Sequence, residues 1–174
     1  DFDADEDHLL RGLQMLTLKS LLVLYNQDDA STRQPPAPGR HAQAVRLRVL
    51  TEREIVGLPP ADRAAFRTEL GMADDGLSLV IRACYELLGL ISFFTVGPDE
   101  VRAWTIRRGE KAVDAAGEIH SDLARGFIRA EVVSYGTLLE LGGLAKAREK
   151  GSLRLEGREY EVRDGDCVEI RHNA

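Results

Sequence analysis

The amino-acid sequence predicts a two-part protein of the α/β (α+β) class, in which a ubiquitin-like β-grasp domain forms the second part. Of its 174 residues, 44% are hydrophobic, which is enough to build a buried core. Helical periodicity dominates up to Gly89, whereas the rest of the chain reads as hairpin, helix, strand, irregular segment, hairpin and strand. That order suits a mixed sheet curled around one helix. A domain boundary near Gly89 therefore separates residues 1–89 from residues 90–174.

The first part begins with one predicted helix and two predicted strands. The helix is indicated by leucines at helical spacing: Leu9, Leu10, Leu13 and Leu16. The nearly continuous apolar run at residues 18–26 predicts a buried strand that ends at Asn26. A polar, proline-rich loop follows. Residues 44–50 then alternate apolar and basic side chains, which predicts a half-exposed strand.

Further helices are predicted before the boundary. Residues 51–72 read as helical on both sides of a Pro-Pro pair, and they start with a capping-box pattern at Thr51. Residues 74–88 predict a helix that is closed by Gly89. Its apolar side chains recur on one face, which is expected to be buried: Leu77, Val80, Ile81, Cys84, Leu87 and Leu88.

The second part begins with a predicted hairpin, in which residues 90–96 and 101–107 are the strands and the letters GPDE form the turn. The remaining predicted elements are a helix, a strand, two short helical stretches, a hairpin that turns at Glu-Gly and a final strand: residues 110–126, 127–133, 135–143, 144–151, 152–163 and 166–172.

Composition limits the functions that this chain can have. The net charge of −6 does not attract nucleic acid, so any such contact needs a local basic patch. Two cysteines lie far apart, as expected of reduced thiols in a cytoplasmic protein. No apolar run approaches the roughly 18 residues that span a bilayer, so no membrane contact is predicted. No spacing of His and Cys fits a metal site.

A local basic patch is available on the first predicted hairpin and the strand that follows it. Its candidate residues for binding RNA or another partner are Arg102, Trp104, Arg107, Arg108 and Arg129. Strand alternation sends Arg102, Trp104 and Ile106 to one face, where stacking and phosphate contacts would suit an RNA ligand. In the other interpretation, Trp104 packs beneath the helix. The arginines are then solvated or paired with nearby acids: Glu100, Glu110 and Glu131.

The second part also resembles a known family. The stretches "VRAWTIRRG", "AAGEIHSD", "GFIRAEV" and "LRLEGREYEVRDGDCVEIRHN", in this order, are similar to the carboxy-terminal TGS domain of the YchF/Obg-like ATPases. The similarity runs over residues 77–173. Members of this family are P-loop proteins of the translation-factor class. The resemblance implies contacts with RNA or the ribosome, and an intact parent that binds and hydrolyses ATP, or sometimes GTP, with Mg.

The resemblance extends upstream to the letters LLRGLQMLTLKSLLVLYN, which are similar to a strand that enters the family's G domain. Residues 1–89 are therefore implied to be a partial or degenerate G-domain segment with helices. In the family this strand leads to an N-x-x-E motif that reads the nucleotide base. Asn26 and Asp29 stand in that place, with Asp29 replacing Glu. The alternative interpretation is an Asx-rich turn at a strand end.

The sequence contains no G-x-x-x-x-G-K-[ST] motif to cradle phosphates, so we expect this chain to bind no cofactor and to catalyse no hydrolysis. It begins without methionine, which indicates either an excised part of an ATPase or a degenerate relative. The predicted function is a non-catalytic interaction module that contacts RNA, the ribosome or a protein. The alternative is a stand-alone regulatory domain that binds a small ligand or a protein. Homodimerisation through apolar strands in residues 1–50 is also predicted.

Overall fold

The computed structural model describes residues 6, 9–10, 12–28, 37–39, 42–72, 74–97 and 100–173. The chain divides into two compact units, which we call the first unit (Asp1–Leu88) and the second unit (Gly89–Ala174). Helices and sheets occur in both, so the predicted mixed α/β class is confirmed. None of the described helices is long and apolar enough to cross a membrane.

Besides helical residues at positions 6, 9 and 10, the described part of the first unit contains a two-stranded parallel sheet and three helices. The strands pair in register from Leu21 with Ala42 to Asn26 with Leu47. In chain order the elements are β1 (Leu21–Asn26), β2 (Ala42–Leu47), α1 (Val49–Gly57), α2 (Pro60–Glu69) and α3 (Gly76–Leu87). Helix α3 contacts both strands. The helices predicted on either side of the Pro-Pro pair are confirmed, because proline at the first position of α2 fits a helix start.

The start of the first unit differs from the prediction. Leu9 and Leu10 are helical, as predicted, but residues 12–18 form turns and a single 3₁₀ turn (Leu16–Leu18), so the predicted helix does not continue through them. Strand β1 begins at Leu21 and is not buried, since Leu21 is 58% and Leu24 is 50% exposed. An apolar run predicts a buried strand only when both of its faces are covered. Among the described residues, β1 pairs with β2 alone.

Two local predictions around α1 and α3 are also wrong. The capping box at Thr51 does not form, because α1 already begins at Val49 and Thr51 lies buried inside it. On α3, the apolar face is only partly covered: Leu77 is 70% exposed, whereas Ala83 is buried. The predicted end of this helix is confirmed, since Gly89 adopts the left-handed conformation with a φ of 63°.

The second unit contains a five-stranded mixed sheet with the strand order β4-β3-β7-β5-β6. Its strands are β3 (Leu90–Val96), β4 (Val101–Arg107), β5 (Phe127–Ser134), β6 (Arg154–Glu156) and β7 (Asp166–His172). Its helices are α4 (Ala112–Ile119), α5 (Ser121–Arg125), α6 (Tyr135–Leu141) and α7 (Leu144–Glu149). Strands β3 and β7 are parallel, whereas all other neighbours are antiparallel.

The first predicted hairpin is confirmed, but two other elements of the second unit differ. The helix predicted over residues 110–126 is two helices, because His120 is extended and its Nδ1 accepts a hydrogen bond from the backbone N–H of Asp122. The predicted hairpin over residues 152–163 does not form. Strand β6 pairs with β5, and Glu161 instead forms a bridge with Lys111.

The core of the second unit lies between one face of the sheet and α4. Phe93 is fully buried at its centre. The other members come from β3, β4, α4, β5, β7 and the segment between β6 and β7: Ile91, Ile106, Ala112, Ala115, Ala116, Phe127, Ala130, Val132, Val162 and Val168. Small alanines on α4 allow this helix to approach the sheet closely.

A buried polar network holds the segment between β6 and β7. The hydroxyl of Tyr160 donates to Asp166 Oδ2 at 2.7 Å and accepts from Arg154 Nη2 at 2.8 Å. The backbone N–H of Arg163 donates to the same carboxylate oxygen at 3.0 Å, and Asp166 is only 3% exposed. Burial, with help from Asp166, raises the pKa of Tyr160 to about 12 from the ordinary value of 10.0.

This raised pKa predicts a loss of stability at alkaline pH. Between pH 10.0 and about 12, the folded protein keeps the Tyr160 proton while the unfolded chain releases it. The contribution of Tyr160 to stability is therefore complete below pH 10.0 and is lost as the pH rises towards about 12. We expect an ultraviolet titration of tyrosinate to show a late step that is absent from Tyr160→Phe. If the unmodified protein and Tyr160→Phe gave the same tyrosinate titration curve, this expectation would be contradicted.

Candidate functional site

The first candidate site lies at the end of β1, where Asn26 is the last residue. Its Oδ1 accepts a hydrogen bond from the backbone N–H of Val49 at 3.3 Å, and the N–H of Gln27 donates to Leu47 O at 2.9 Å. Asn26 therefore connects the end of β1 to the first turn of α1. Asp29, the other predicted base-reading residue, lies outside the described residues.

A cavity of about 310 Å³ lies beside this strand end, and two of its charged lining residues, Arg48 and Glu52, bind other parts of the first unit. Arg48 Nη2 donates to Leu70 O at 3.1 Å. Glu52 binds Arg67 through two hydrogen bonds of 2.9 and 2.8 Å and accepts the N–H of Gly76 at 2.9 Å. The hydrogen bond with Glu52 raises the pKa of Arg67. These groups join α1, α2 and α3 rather than face a ligand.

The second candidate site is the hairpin of β3 and β4. As predicted, Arg102, Trp104 and Ile106 share a face, since they pair across the hairpin with Thr95, Phe93 and Ile91. This is the core face, because Ile106 is 3% exposed. Trp104 is half-buried and stacks on Phe93 with the ring centroids 6.5 Å apart, while its Nε1 donates to Thr95 Oγ1 at 2.9 Å.

The guanidinium of Arg102 lies over the Trp104 ring, 4.2 Å from its centroid. A cation in this position is attracted by the aromatic face, which holds the guanidinium in a fixed place at the surface. Arg102 is exposed, whereas Trp104 extends the core. The structure thus brings this predicted pair together, with the arginine exposed and the tryptophan half-buried.

Arg107 and Arg108 lie at the other end of β4, and both are exposed. Within the described residues, neither side chain forms an ion pair. One of the three acids named as possible partners of nearby arginines, Glu131, binds Arg148 at 2.8 Å and Arg171 at 3.1 Å instead. The hydrogen bond from Arg148 lowers the pKa of Glu131. Among the described residues, the two hairpin arginines therefore have no carboxylate partner.

Arg129 does not join the hairpin arginines. It lies on β5 opposite Arg171 of β7, and the sheet order places β5 three strands away from β4. This separation corresponds to about 14 Å at the usual strand spacing. The register through β7 and β3 also places Arg129 near the end of β3, whereas Arg107 pairs with Leu90 at its start. The five predicted residues thus occupy three separate places: Arg102 with Trp104, Arg107 next to Arg108, and Arg129 alone.

Sequence reasoning missed a cleft of about 900 Å³ at the end of the sheet, where β3 and β7 diverge. Its apolar lining includes Trp104, Ile119, Leu123 and Ile170. Charged residues at its border are Glu100, Arg102 and Glu169. These residues come from separate elements, so no local pattern in the sequence indicates the cleft. Among the described residues, no group of three or more His, Cys, Asp or Glu side chains could hold a metal ion.

Residues 90–173 match the family model YchF-GTPase_C, described as a protein of unknown function (DUF933). The ribosome-binding ATPase YchF of Bacillus subtilis (strain 168) is 41% identical over 184 residues, covering 99% of this chain and 50% of the relative. The protein of that name from Escherichia coli O157:H7 is 38% identical over 181 residues, with coverage of 99% and 50%. The chain therefore spans about half the length of the curated relatives it matches.

Two solved structures are similar to the chain. The YchF GTPase of Schizosaccharomyces pombe has a TM-score of 0.78 and 27% identity, covering 98% of this chain and 48% of that chain. A GTP binding protein from Pyrococcus horikoshii OT3 shares the fold, with a TM-score of 0.51 and 20% identity over 77% of this chain and 38% of that chain. These similarities confirm the resemblance found in the sequence. The chain belongs to the YchF family, and residues 90–173 are the carboxy-terminal domain of that family.

Proposed function

We propose that this chain is a non-catalytic interaction module of a translation-associated, nucleotide-binding YchF protein, and that it contacts the ribosome in the cytoplasm. Relatives that match 99% of the chain are named ribosome-binding ATPases, which supports this partner. We assign residues 90–174 to a TGS domain of the β-grasp type. Support comes from parallel β3 and β7 inside a mixed sheet that packs on α4. Residues 1–89 correspond to a G-domain segment.

The observation that carries this proposal is the group of exposed arginines on and just after β4, which have no ion-pair partner among the described residues. Residues 101–108 contain three arginines and no acidic residue, in a protein whose net charge is −6. Arg107 and Arg108 are exposed, and Arg102 is held over Trp104. Guanidinium groups bind phosphate oxygens in bidentate geometry, so ribosomal RNA is the chemical partner that suits this surface. Arg129 would make a separate contact.

Neutralising two of these arginines is expected to weaken ribosome binding. Arg107→Gln together with Arg108→Gln removes two potential phosphate contacts, so we expect affinity to fall by about tenfold and the dependence on salt to become shallower. The measurement is binding to purified ribosomes at two salt concentrations. Arg125→Gln is a matched control, because Arg125 is exposed but paired with Asp122. Equal losses in the control and the double variant would contradict an RNA contact through the hairpin.

We further propose that this chain by itself holds no nucleotide and that an intact parent holds ATP or GTP with Mg elsewhere. Two of the charged groups that line the cavity near Asn26, Arg48 and Glu52, are occupied by bonds within the first unit, as described above. Calorimetry of the chain with ATP or GTP is expected to give no magnesium-dependent heat of binding. A micromolar, magnesium-dependent affinity would refute this proposal.

The second candidate function is a regulatory domain that binds a small ligand, with no role in translation. The cleft of about 900 Å³ beside Trp104 favours it. Such binding would respond little to salt, whereas binding to RNA would weaken steeply as salt rises. Homodimerisation through residues 1–50 also stays a prediction. The exposed Leu21 and Leu24 of β1 are the side chains that such a dimer would cover.

A further inference from the structure

The cleft of about 900 Å³ opens inside the second unit, where β3 and β7 separate. The two strands pair at Phe94 with Cys167, and the residues that follow on each strand line the cleft. Its volume lies near the upper end of the range of about 300 to 1,000 Å³ that is usual for small-molecule sites. Its larger apolar side chains come from five elements: Trp104, Ile119, Leu123, Leu144, Val168 and Ile170. The cleft therefore has room for an apolar ligand with more than one side chain.

Two opposite charges stand at the border of the cleft. Glu100, just before β4, and Arg102 are both exposed, and neither forms an ion pair among the described residues. The third charged residue at this border, Glu169, already binds Arg148 at 3.0 Å and Arg171 at 3.3 Å. The border thus offers one carboxylate and one guanidinium to a ligand.

Glu100, Arg102 and Trp104 form a row along one face of the hairpin. Glu100 continues the alternation of β4, because its C=O accepts the N–H of Gly97 at 2.8 Å. Residues that are two apart on a strand are separated by about 7 Å. The guanidinium of Arg102 lies 4.2 Å from the centroid of the Trp104 ring, which holds this charge beside the apolar lining.

The spacing of the two charges matches the length of a dipeptide. Two residues of extended peptide span about 7 Å, with an ammonium group at one end and a carboxylate at the other. A single amino acid carries the same two charges, but it spans only about 3.5 Å. A dipeptide with apolar side chains therefore suits the border charges and the lining together.

We propose that the cleft binds an apolar dipeptide with free termini. The ammonium group binds Glu100, the carboxylate binds Arg102, and the two side chains lie in the apolar cleft. This inference rests on the second candidate function, that of a domain for a small ligand, and is independent of the ribosome contact.

The border charges disfavour two other classes of ligand. A fatty acid or a nucleotide brings only negative charge, so Glu100 would repel it while Arg102 attracts it. An uncharged apolar molecule would displace water from both charges and would provide no partner for either. A zwitterion pairs with both groups.

Calorimetry of the whole chain with leucyl-leucine tests this proposal. We expect saturable binding with a dissociation constant of about 1 mM or lower. Two matched ligands each lack one charge: N-acetyl-leucyl-leucine has no ammonium group, and leucyl-leucine amide has no carboxylate. Each should bind about fivefold more weakly, because an ion pair at an exposed border contributes modestly. Absence of saturable binding up to about 10 mM leucyl-leucine would overturn the proposal.

Two substitutions show which residue holds each end of the dipeptide. Arg102→Gln should make leucyl-leucine and its amide bind equally, whereas Glu100→Gln should make leucyl-leucine and its N-acetyl form bind equally. Arg163→Gln is the matched control, because Arg163 is exposed but does not line the cleft, and it should preserve both preferences. Each comparison is made between ligands on one variant, so a loss of stability would not imitate the expected pattern. Preferences that persist in Arg102→Gln and Glu100→Gln would overturn the proposal.

Amide chemical shifts in NMR spectra locate the ligand. Leucyl-leucine is expected to shift the signals of Ile119, Leu123 and Ile170, which line the cleft. Shifts confined to residues outside the cleft would overturn the proposal.

Two further ligands separate this inference from the candidate function on which it rests. Equal binding of the uncharged N-acetyl-leucyl-leucine amide, or of leucine alone, would reject the dipeptide but leave a small-ligand site in place. No shift at the cleft with any of these ligands would reject both the dipeptide and the small-ligand function.

Discussion

Replacing Phe93 with alanine is expected to lower the free energy of unfolding of the second unit by about 4 kcal/mol. Phe93 is fully buried in β3, which has β4 on one side and β7 on the other. Its ring stacks on Trp104 and belongs to the core cluster against α4. Because hydrogen bonds hold the strands on both sides, the surroundings cannot collapse fully into the space that the ring leaves.

Urea unfolding followed by fluorescence measures this loss directly, because Trp104 is the sole tryptophan of the chain and lies in the second unit. Phe94→Ala is the matched control on the same strand. Phe94 points to the opposite face, is half-buried and contacts Tyr135 edge-on with the ring centroids 6.4 Å apart. Its loss should cost about 2 kcal/mol. Equal losses for the two variants would contradict the assignment of the core to the Phe93 face.

Replacing Arg67 with alanine is expected to destabilise the first unit by about 2 kcal/mol. Its guanidinium makes two hydrogen bonds to Glu52 and a third, of 3.3 Å, to Asp74 O. The side chains of Arg67 and Glu52 are only 14% and 17% exposed, so solvent screens this ion pair weakly. Without Arg67, the carboxylate of Glu52 retains the Gly76 N–H but no cation.

Hydrogen exchange of the backbone amides of α3 measures this effect within the first unit alone. The Gly76 amide should lose the most protection, because its acceptor Glu52 would no longer be held in place. Arg53→Ala is the control, since Arg53 lies on α1 beside Glu52 but is exposed. A double variant with Glu52→Gln should lose less than the sum of the single effects. Additive losses would show that the pair is not coupled.

The elements that the sequence predicted correctly depend on near neighbours. The β3–β4 hairpin follows from two alternating runs around a short turn, and the helix break at Pro59 follows from the geometry of proline. The period of two along a strand also placed Arg102 and Trp104 on one face. Each of these features is decided within a few residues of chain, where sequence patterns are informative.

Two of the wrong predictions involve partners that are distant along the chain. The hairpin over residues 152–163 fails because β6 pairs with β5, as in Ala130 opposite Glu156. Helix α1 begins at Val49 and not at the capping box that was predicted at Thr51. The N–H of Val49 donates a hydrogen bond to the side chain of Asn26, which lies at the end of β1. Such contacts depend on the order of strands and on helix packing, which local propensity does not encode.

By itself, the sequence determined the mixed α/β class, the family and the positions of three arginines on and just after one strand of a hairpin. Only the tertiary structure decided which arginines pair with acids among the described residues. Arg148 and Arg171 converge on Glu131, whereas Arg107 lies on an edge strand far from that acid. The physical reason is that charge pairing depends on which strands become neighbours. That choice is made by packing over the whole sheet and not by any single stretch of residues.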